Sequence, residues 1–230
     1  MLTLLSYMSN QRNSIKTTCV LILASLACLL ASCGKGEEYS PPRPRTTMIT
    51  ERLHIAPCQE SDIDDYYNHI YGSAEVAKTF LVPTEPQKRS QVIRYVLRKV
   101  NRWEQGEHFS AFTVRDKATN KFLGTMGLGS TDEKNSAWIY YAIRQEEWNK
   151  RYASEAVKAL MEYARRLYQA GYKLDYGQPF ERVITAVRKD NPYSARILKR
   201  LRFKVYEAHD EFFDPNIFDH YEYDMSQTGQ

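Results

Sequence analysis

Cysteine is scarce and poorly placed for either a disulfide framework or a metal centre. Only 4 of the 230 residues are cysteine; Cys19, Cys28 and Cys33 crowd the N-terminus and Cys58 stands alone in the remainder. No CxxC pair occurs, and His54, His69, His108, His209 and His220 are scattered without HxxxH spacing. A disulfide scaffold is excluded, and no metal is expected. Long apolar runs are lacking too: the longest, Cys19–Ala31, has about 13 residues, short of the ~20 that a spanning helix needs. Nor is there a large excess of one charge, with 32 Lys+Arg against 28 Asp+Glu. Residues 1–47 hold five basic and two acidic side chains, so most of the net +4 lies there and the remainder is near neutral. A general phosphate-backbone binder needs a basic face, so no nucleic-acid partner is expected. What is abundant is tyrosine, 17 residues, within a hydrophobic content of 43%. A chain of this length and composition can bury a core without staples.

Arg12 and Lys16 precede the apolar run, which ends in Leu30-Ala31-Ser32-Cys33. A basic flank, a short apolar stretch and small residues before a cysteine resemble a bacterial lipoprotein signal. That resemblance makes residues 1–33 a leader, Cys33 the lipidated residue and residues 34–47 a Pro-rich tether. The competing expectation is a translation start at Met48, opening a domain of residues 48–230. The first predicts a membrane-anchored lipoprotein, touching the membrane only through Cys33; the second predicts a cytoplasmic protein.

The body alternates strand and helix signals. Residues 50–57 (TERLHIAP) read as a half-buried strand, and 60–71 as a short helix capped by Ser61. Val92, Ile93, Val96, Leu97, Val100 and Trp103 recur at helical spacing, with Gly106 as a stop. Residues 108–115 and 121–128 form a predicted hairpin, and 135–144 another strand. Tyr152 to Tyr168 carries an apolar residue every three or four positions and ends before Gly171. Residues 182–188 read as a buried strand. Asn191 followed by Pro192 is a helix start, and 203–206 and 220–225 are closing strands. This order predicts an α+β fold: a mixed, mostly antiparallel sheet flanked by about four helices.

Four stretches in this order resemble the GNAT family of acetyl-CoA-dependent N-acetyltransferases, in the branch of the ribosomal-protein alanine N-acetyltransferases. They are the opening TERLHIAP strand, Phe122-Leu-Gly-Thr-Met-Gly-Leu128, Trp148-Asn-Lys-Arg-Tyr-Ala-Ser-Glu-Ala-Val157, and Asn191-Pro-Tyr-Ser194 with Leu201-Arg-Phe203. The resemblance implies acetyl transfer from acetyl-CoA to a primary amine, a protein N-terminus or a small amine, by direct attack. It further implies that Ala142 and Ile143 pair with the pantetheine, and that Asn149, Lys150, Arg151, Tyr152, Ala153 and Ser154 surround the pyrophosphate. By the same resemblance Asn191 touches the cofactor and Ser194 is the catalytic candidate that meets the leaving thiolate. A helix start favours an anion there on physical grounds. Lys150 and Arg151 fit the same site unless Glu146, Glu147 and Glu155 neutralise them. Ser194 has the competing role of an ordinary first-turn polar residue.

Asn149, Arg151 and Arg202 replace family glycines. A side chain at 151 either blocks close backbone approach or forks onto the phosphates itself. The competing function is a GNAT-fold binding protein whose catalysis has lapsed. Leu198 stands where other branches carry a tyrosine acid, and Trp138 where relatives often carry an acidic base. Glu207, His209 and Asp210 are candidates to line an acceptor pocket. The acidic, aromatic stretches 211–214 and 221–224 read either as a surface for a cationic amine or as an edge strand with a solvated face.

Overall fold

The computed structural model describes residues 46–81, 85–207 and 214–227, all within one compact unit, Pro41–Gln230. The leader, Cys33 and the tether to residue 45 lie outside the described residues, as do His209 and Asp210.

Eight strands form one sheet: β1 (Met48–Ile49), β2 (Leu53–Pro57), β3 (Ala111–Asp116), β4 (Phe122–Ser130), β5 (Ser136–Ile143), β6 (Arg182–Arg188), β7 (Lys204–Tyr206) and β8 (Phe218–Asp224). Their spatial order is β1-β2-β3-β4-β5-β6-β8-β7. Every pairing is antiparallel except β5 with β6, the two strands joined by a helical crossover. The α+β reading therefore holds. Two short elements had no readable sequence signal, because two residues of strand (β1) and four of helix (Ala74–Ala77) are too brief to show a period.

Alternation along the strands divides the core. One face carries Leu53, Ile55, Phe112, Val114, Met126 and Ile139, covered by the helices Tyr152–Gln169 and Pro192–Arg200. The other packs Tyr66, Ile70, Val92 and Val96 against Ala111 and Phe122. In chain order the helices are α1 (Ile63–Tyr66), α2 (Ala74–Ala77), α3 (Arg89–Glu104), α4 (Tyr152–Gln169) and α5 (Pro192–Arg200). A 3-10 turn at Glu60–Asp62 leads into α1, and a π turn at Tyr67–Tyr71 leaves it. Ser61 is not the cap. Gln59 holds that position, and its backbone N–H donates to Asp62 Oδ2 at 2.9 Å. Asp62 is buried and also accepts from Thr113 (2.6 Å) and Arg115 (2.7 Å), which pins this segment to β3.

The stretch 221–224 is not an edge strand. It belongs to β8, between β6 and β7, with Tyr221 and Tyr223 buried and Glu222 paired to Arg182 at 2.8 Å. A strand in that place has partners on both sides, so its aromatic residues face the core.

Three helices end alike. In α3, α4 and α5, Gly106, Gly171 and Arg202 take the left-handed conformation, at φ 77°, 71° and 66°. Each donates its N–H three residues back, and the next N–H reaches five residues back, as in Phe203 to the Leu198 carbonyl at 3.0 Å. Arginine adopts at 202 what glycine adopts at little steric cost. Arg202→Gly is therefore expected to raise stability by about 0.5–1 kcal/mol, net of the freedom that glycine adds to the unfolded chain. Urea denaturation measures this, and an unchanged or lower midpoint would contradict it.

Candidate active site

The sheet opens at its parallel pairing. β5 and β6 pair at Ser136, Ala137 and Trp138 with Arg182, Val183 and Ile184, and no further. β5 continues to Ile143 on β4, and β6 to Arg188 on β8, so the two strands part while each keeps its outer partner. Between them the backbone of β5 from Ile139 onward has one ladder edge facing a gap.

Beyond β5 the chain turns through a 3-10 segment, Gln145–Glu147, into α4. The Trp148 indole N–H donates to the Ile143 carbonyl at 2.7 Å, tying this loop to the strand end. Asn149 and Arg151 both have positive φ, 63° and 65°. With Arg202, all three positions where the family pattern has glycine keep a left-handed backbone. Arg151 sits at the N-cap of α4 and provides no side-chain cap. The first N–H groups of an α-helix have no intrahelical acceptor, so Tyr152, Ala153 and Ser154 present theirs at the cleft edge.

The neighbouring charges are more ordered than the sequence suggested. Lys150 Nζ is held by Glu147 at 2.8 Å, and Lys121 binds the same carboxylate. Hydrogen bonds from Lys121 and Lys150 keep the Glu147 carboxyl below its usual range. Glu146 pairs with Arg144, whose hydrogen bond brings it down to about 2. Glu155 neutralises neither Lys150 nor Arg151; it accepts from Thr50 Oγ1, from Arg52 N (2.9 Å) and from Arg52 Nε (2.8 Å). Arg52 also donates to the Lys150 carbonyl at 3.0 Å and lies 4.5 Å over the Tyr152 ring. The β1–β2 turn is thereby latched onto the start of α4. Of the two expected cations, Arg151 is the one that lines the cleft, whereas Lys150 is engaged by Glu147.

The cleft has a volume of 710 Å³ on the α4–α5 side. Ala142, Ile143, Asn149, Arg151, Tyr152, Ala153, Ser154, Asn191 and Ser194 all line it, so the structure brings these sequence-derived candidates together. Asn191 also holds its own helix: its side-chain oxygen accepts from the Ser194 N–H at 3.2 Å and caps α5. Facing Ser194 is Tyr141, which is absent from the sequence-derived candidates. Its hydroxyl is buried and has no partner in hydrogen-bonding geometry. Burial pushes it up to about 12, with the nearby Ser194 hydroxyl acting in the opposite direction. A tyrosine in an alternating strand gives no sequence sign that its hydroxyl is unpaired.

A second chamber of 360 Å³ opens on the α3 side. Tyr71, Phe80, Tyr95, Trp138 and Tyr140 form much of its wall, with Lys99 among them. Thr79, Tyr141, Ala142, Arg188, Asn191 and Ser194 line both spaces, so the two meet at the parted strands. Trp138 is part of the wall, and exposed Glu207 is not among the lining residues described.

The Acetyltransferase (GNAT) domain family matches residues 52–204. A curated relative, the uncharacterized N-acetyltransferase p20 of Bacillus licheniformis, is 25% identical over 159 residues, covering 69% of this chain and 82% of that protein. The ribosomal-protein-S5-alanine acetyltransferase of Vibrio fischeri superposes with a TM-score of 0.60 at 16% identity, covering 78% of this chain and 97% of the other. The ribosomal L7/L12 α-N-protein acetyltransferase RimL, solved in complex with coenzyme A, gives a TM-score of 0.60 at 15% identity, with coverages of 77% and 96%. With the family matched over most of its body and the same fold in these structures, the chain belongs to the GNAT acetyltransferase family.

Proposed function

We propose that this chain transfers an acetyl group from acetyl-CoA to a primary amine by direct attack. The observation that carries the reading is the parting of β5 and β6 after Trp138 and Ile184, with a space on each face of the sheet meeting in the gap. Such a passage lets an acyl donor and an acceptor approach one point from opposite sides. Acetyl-CoA suits the 710 Å³ cleft: its pyrophosphate matches the open N–H groups of Tyr152, Ala153 and Ser154 and the Arg151 guanidinium. Its pantetheine amides match the free ladder edge near Ala142 and Ile143.

The amine must arrive neutral, since its lone pair forms the new C–N bond as the C–S bond breaks. The proton lost from nitrogen is balanced by the S–H of the released thiol. In this reading Tyr141 and Ser194, which line the cleft, hydrogen-bond the sulfur as negative charge develops on it. The Tyr141 hydroxyl, held protonated through neutral pH and lacking another partner, is the stronger donor of the two.

Calorimetric titration of the full chain with acetyl-CoA, followed by thiol release with a panel of primary amines, tests the proposal. Saturable one-site binding and thiol formed in equal amount to acetylated amine are expected. Absence of acetyl-CoA binding would overturn it.

A further inference from the structure

We infer that the α3-side chamber receives a small amino acid, an amine that also carries a carboxylate on an apolar skeleton, and that Lys99 is the residue that recognises the carboxylate. The inference rests on the acetyl-transfer reading and names its acceptor class.

The chamber is small, 360 Å³, near the low end of the roughly 300–1,000 Å³ typical of small-molecule pockets. Its wall is aromatic. The π turn Tyr67–Tyr71 presents Tyr71, whose ring lies 4.9 Å from that of Tyr95 and 5.6 Å from that of Phe80. Tyr95 in turn donates to the Tyr140 hydroxyl at 3.2 Å, closing the wall between α3 and β5. These rings pack an apolar body, and Thr125, Thr185 and Gln87 add uncharged polar groups to the lining.

Lys99 supplies the charge. Its Nζ lies 5.6 Å from the centres of both the Tyr95 and Tyr140 rings. No carboxylate forms an ion pair with it among the described residues. Asp175, a carboxylate whose charge acts on it, is bonded to Arg102, which also holds Glu107. The other cation in the lining, Arg188, is engaged through Nε and Nη2 by Asp190. Burial, with Arg102 and Arg98 nearby, pushes the Lys99 ammonium down to about 8. An ammonium in a largely buried place without a counter-ion is poorly stabilised, and an entering carboxylate corrects that. A polyamine or amino-sugar would bring a further positive charge to the same wall. A peptide N-terminus has an amide where a free amino acid has its carboxylate.

Acceptor pairs test this with the full chain and acetyl-CoA, each rate referred to the neutral-amine fraction at the assay pH: L-phenylalanine against its amide, and 6-aminohexanoate against hexylamine. In at least one pair the carboxylate member is expected to have a kcat/KM about 10–100-fold higher, one charge-assisted contact. Lys99→Met should remove that preference by raising KM, while the uncharged partner changes less than about 2-fold; Lys99→Arg should restore part of it. No preference in either pair overturns the inference, as does an equal loss for both members in Lys99→Met. Calorimetry with the same amines in the absence of acetyl-CoA separates the two readings. Lys99-dependent amino-acid binding without transfer sinks the transferase and keeps the chamber. Transfer to amines regardless of a carboxylate sinks the chamber's assignment and keeps the transferase.

Discussion

Glu155→Ala is expected to lower stability by about 3 kcal/mol, which for a domain of this size is a fall in Tm of roughly 6–12 °C. Glu155 is the acidic residue of the Trp148–Val157 motif, and its carboxylate joins elements 103 residues apart in sequence. Removing it leaves Nε and Nη2 of Arg52 (Nη2–Glu155 Oε2, 2.7 Å) and the Arg52 backbone N–H without their acceptor, with Nη1 alone still bonded to the Lys150 carbonyl. Glu155→Gln keeps the shape and one acceptor, so about half the loss is expected. Burial works to raise the Glu155 carboxyl, but the bonds from Thr50 and Arg52 outweigh it and hold it below its usual range. A depressed folded-state value means that the contribution is complete above the unfolded carboxylate value, about 4.3, and is lost as pH falls through the folded one. The gap between native chain and Glu155→Ala should therefore be constant from neutral pH down to about 5 and close in stronger acid. Chemical denaturation across that range measures it. A gap below about 1 kcal/mol at neutral pH would show that the latch is a solvated surface pair.

That latch marks the boundary of what the sequence could reveal. Helical spacing from Tyr152 to Tyr168 announced α4, because its buried face repeats with the helix period. Asn191 before Pro192 announced α5, because both cap geometry and proline act locally. The resemblance of Trp148–Val157 to the family's phosphate loop supplied the candidates Asn149 to Ser154, of which all but Lys150 line the cleft. For Lys150 the sequence left two outcomes open, a shared anion with Arg151 or neutralisation by a nearby glutamate, and on the folded surface Glu147, three residues earlier, reaches it. The α3-side chamber was illegible for a different reason. Tyr71, Tyr95, Lys99, Trp138 and Tyr140 come from a π turn, a helix and a strand. Only the tertiary fold brings them to one wall. Tyr141, like Tyr221 in β8, buries a hydroxyl without a partner in hydrogen-bonding geometry, and no pattern of residue types records that.

Arg151→Glu is expected to weaken acetyl-CoA binding about 100-fold, the loss of a charge-assisted contact plus repulsion of the pyrophosphate. The sequence posed a choice at this residue between a side chain that blocks the phosphate loop and one that serves it. The backbone at 151 has φ 65° and ψ 12°, the conformation glycine favours, so arginine has not displaced the loop from that geometry. Its side chain is exposed at the cleft edge and has no ion pair among the described residues. Two substitutions separate steric from electrostatic effects. Arg151→Gly removes the left-handed strain and should stabilise the chain by about 0.5–1 kcal/mol, while the lost guanidinium weakens binding only about 10-fold. Arg151→Glu keeps the strain but places a negative charge at a helix start, which favours the free protein by a few tenths of a kcal/mol. Both variants are thus expected to be at least as stable as the native chain and to bind acetyl-CoA less well. Calorimetry at two salt concentrations reads the difference. Wild-type affinity should fall as salt rises and that of Arg151→Glu should not. Tighter binding by Arg151→Gly than by the native chain would assign arginine the blocking role instead. The native side chain would then have to be moved aside before a phosphate could reach the N–H groups of Tyr152, Ala153 and Ser154.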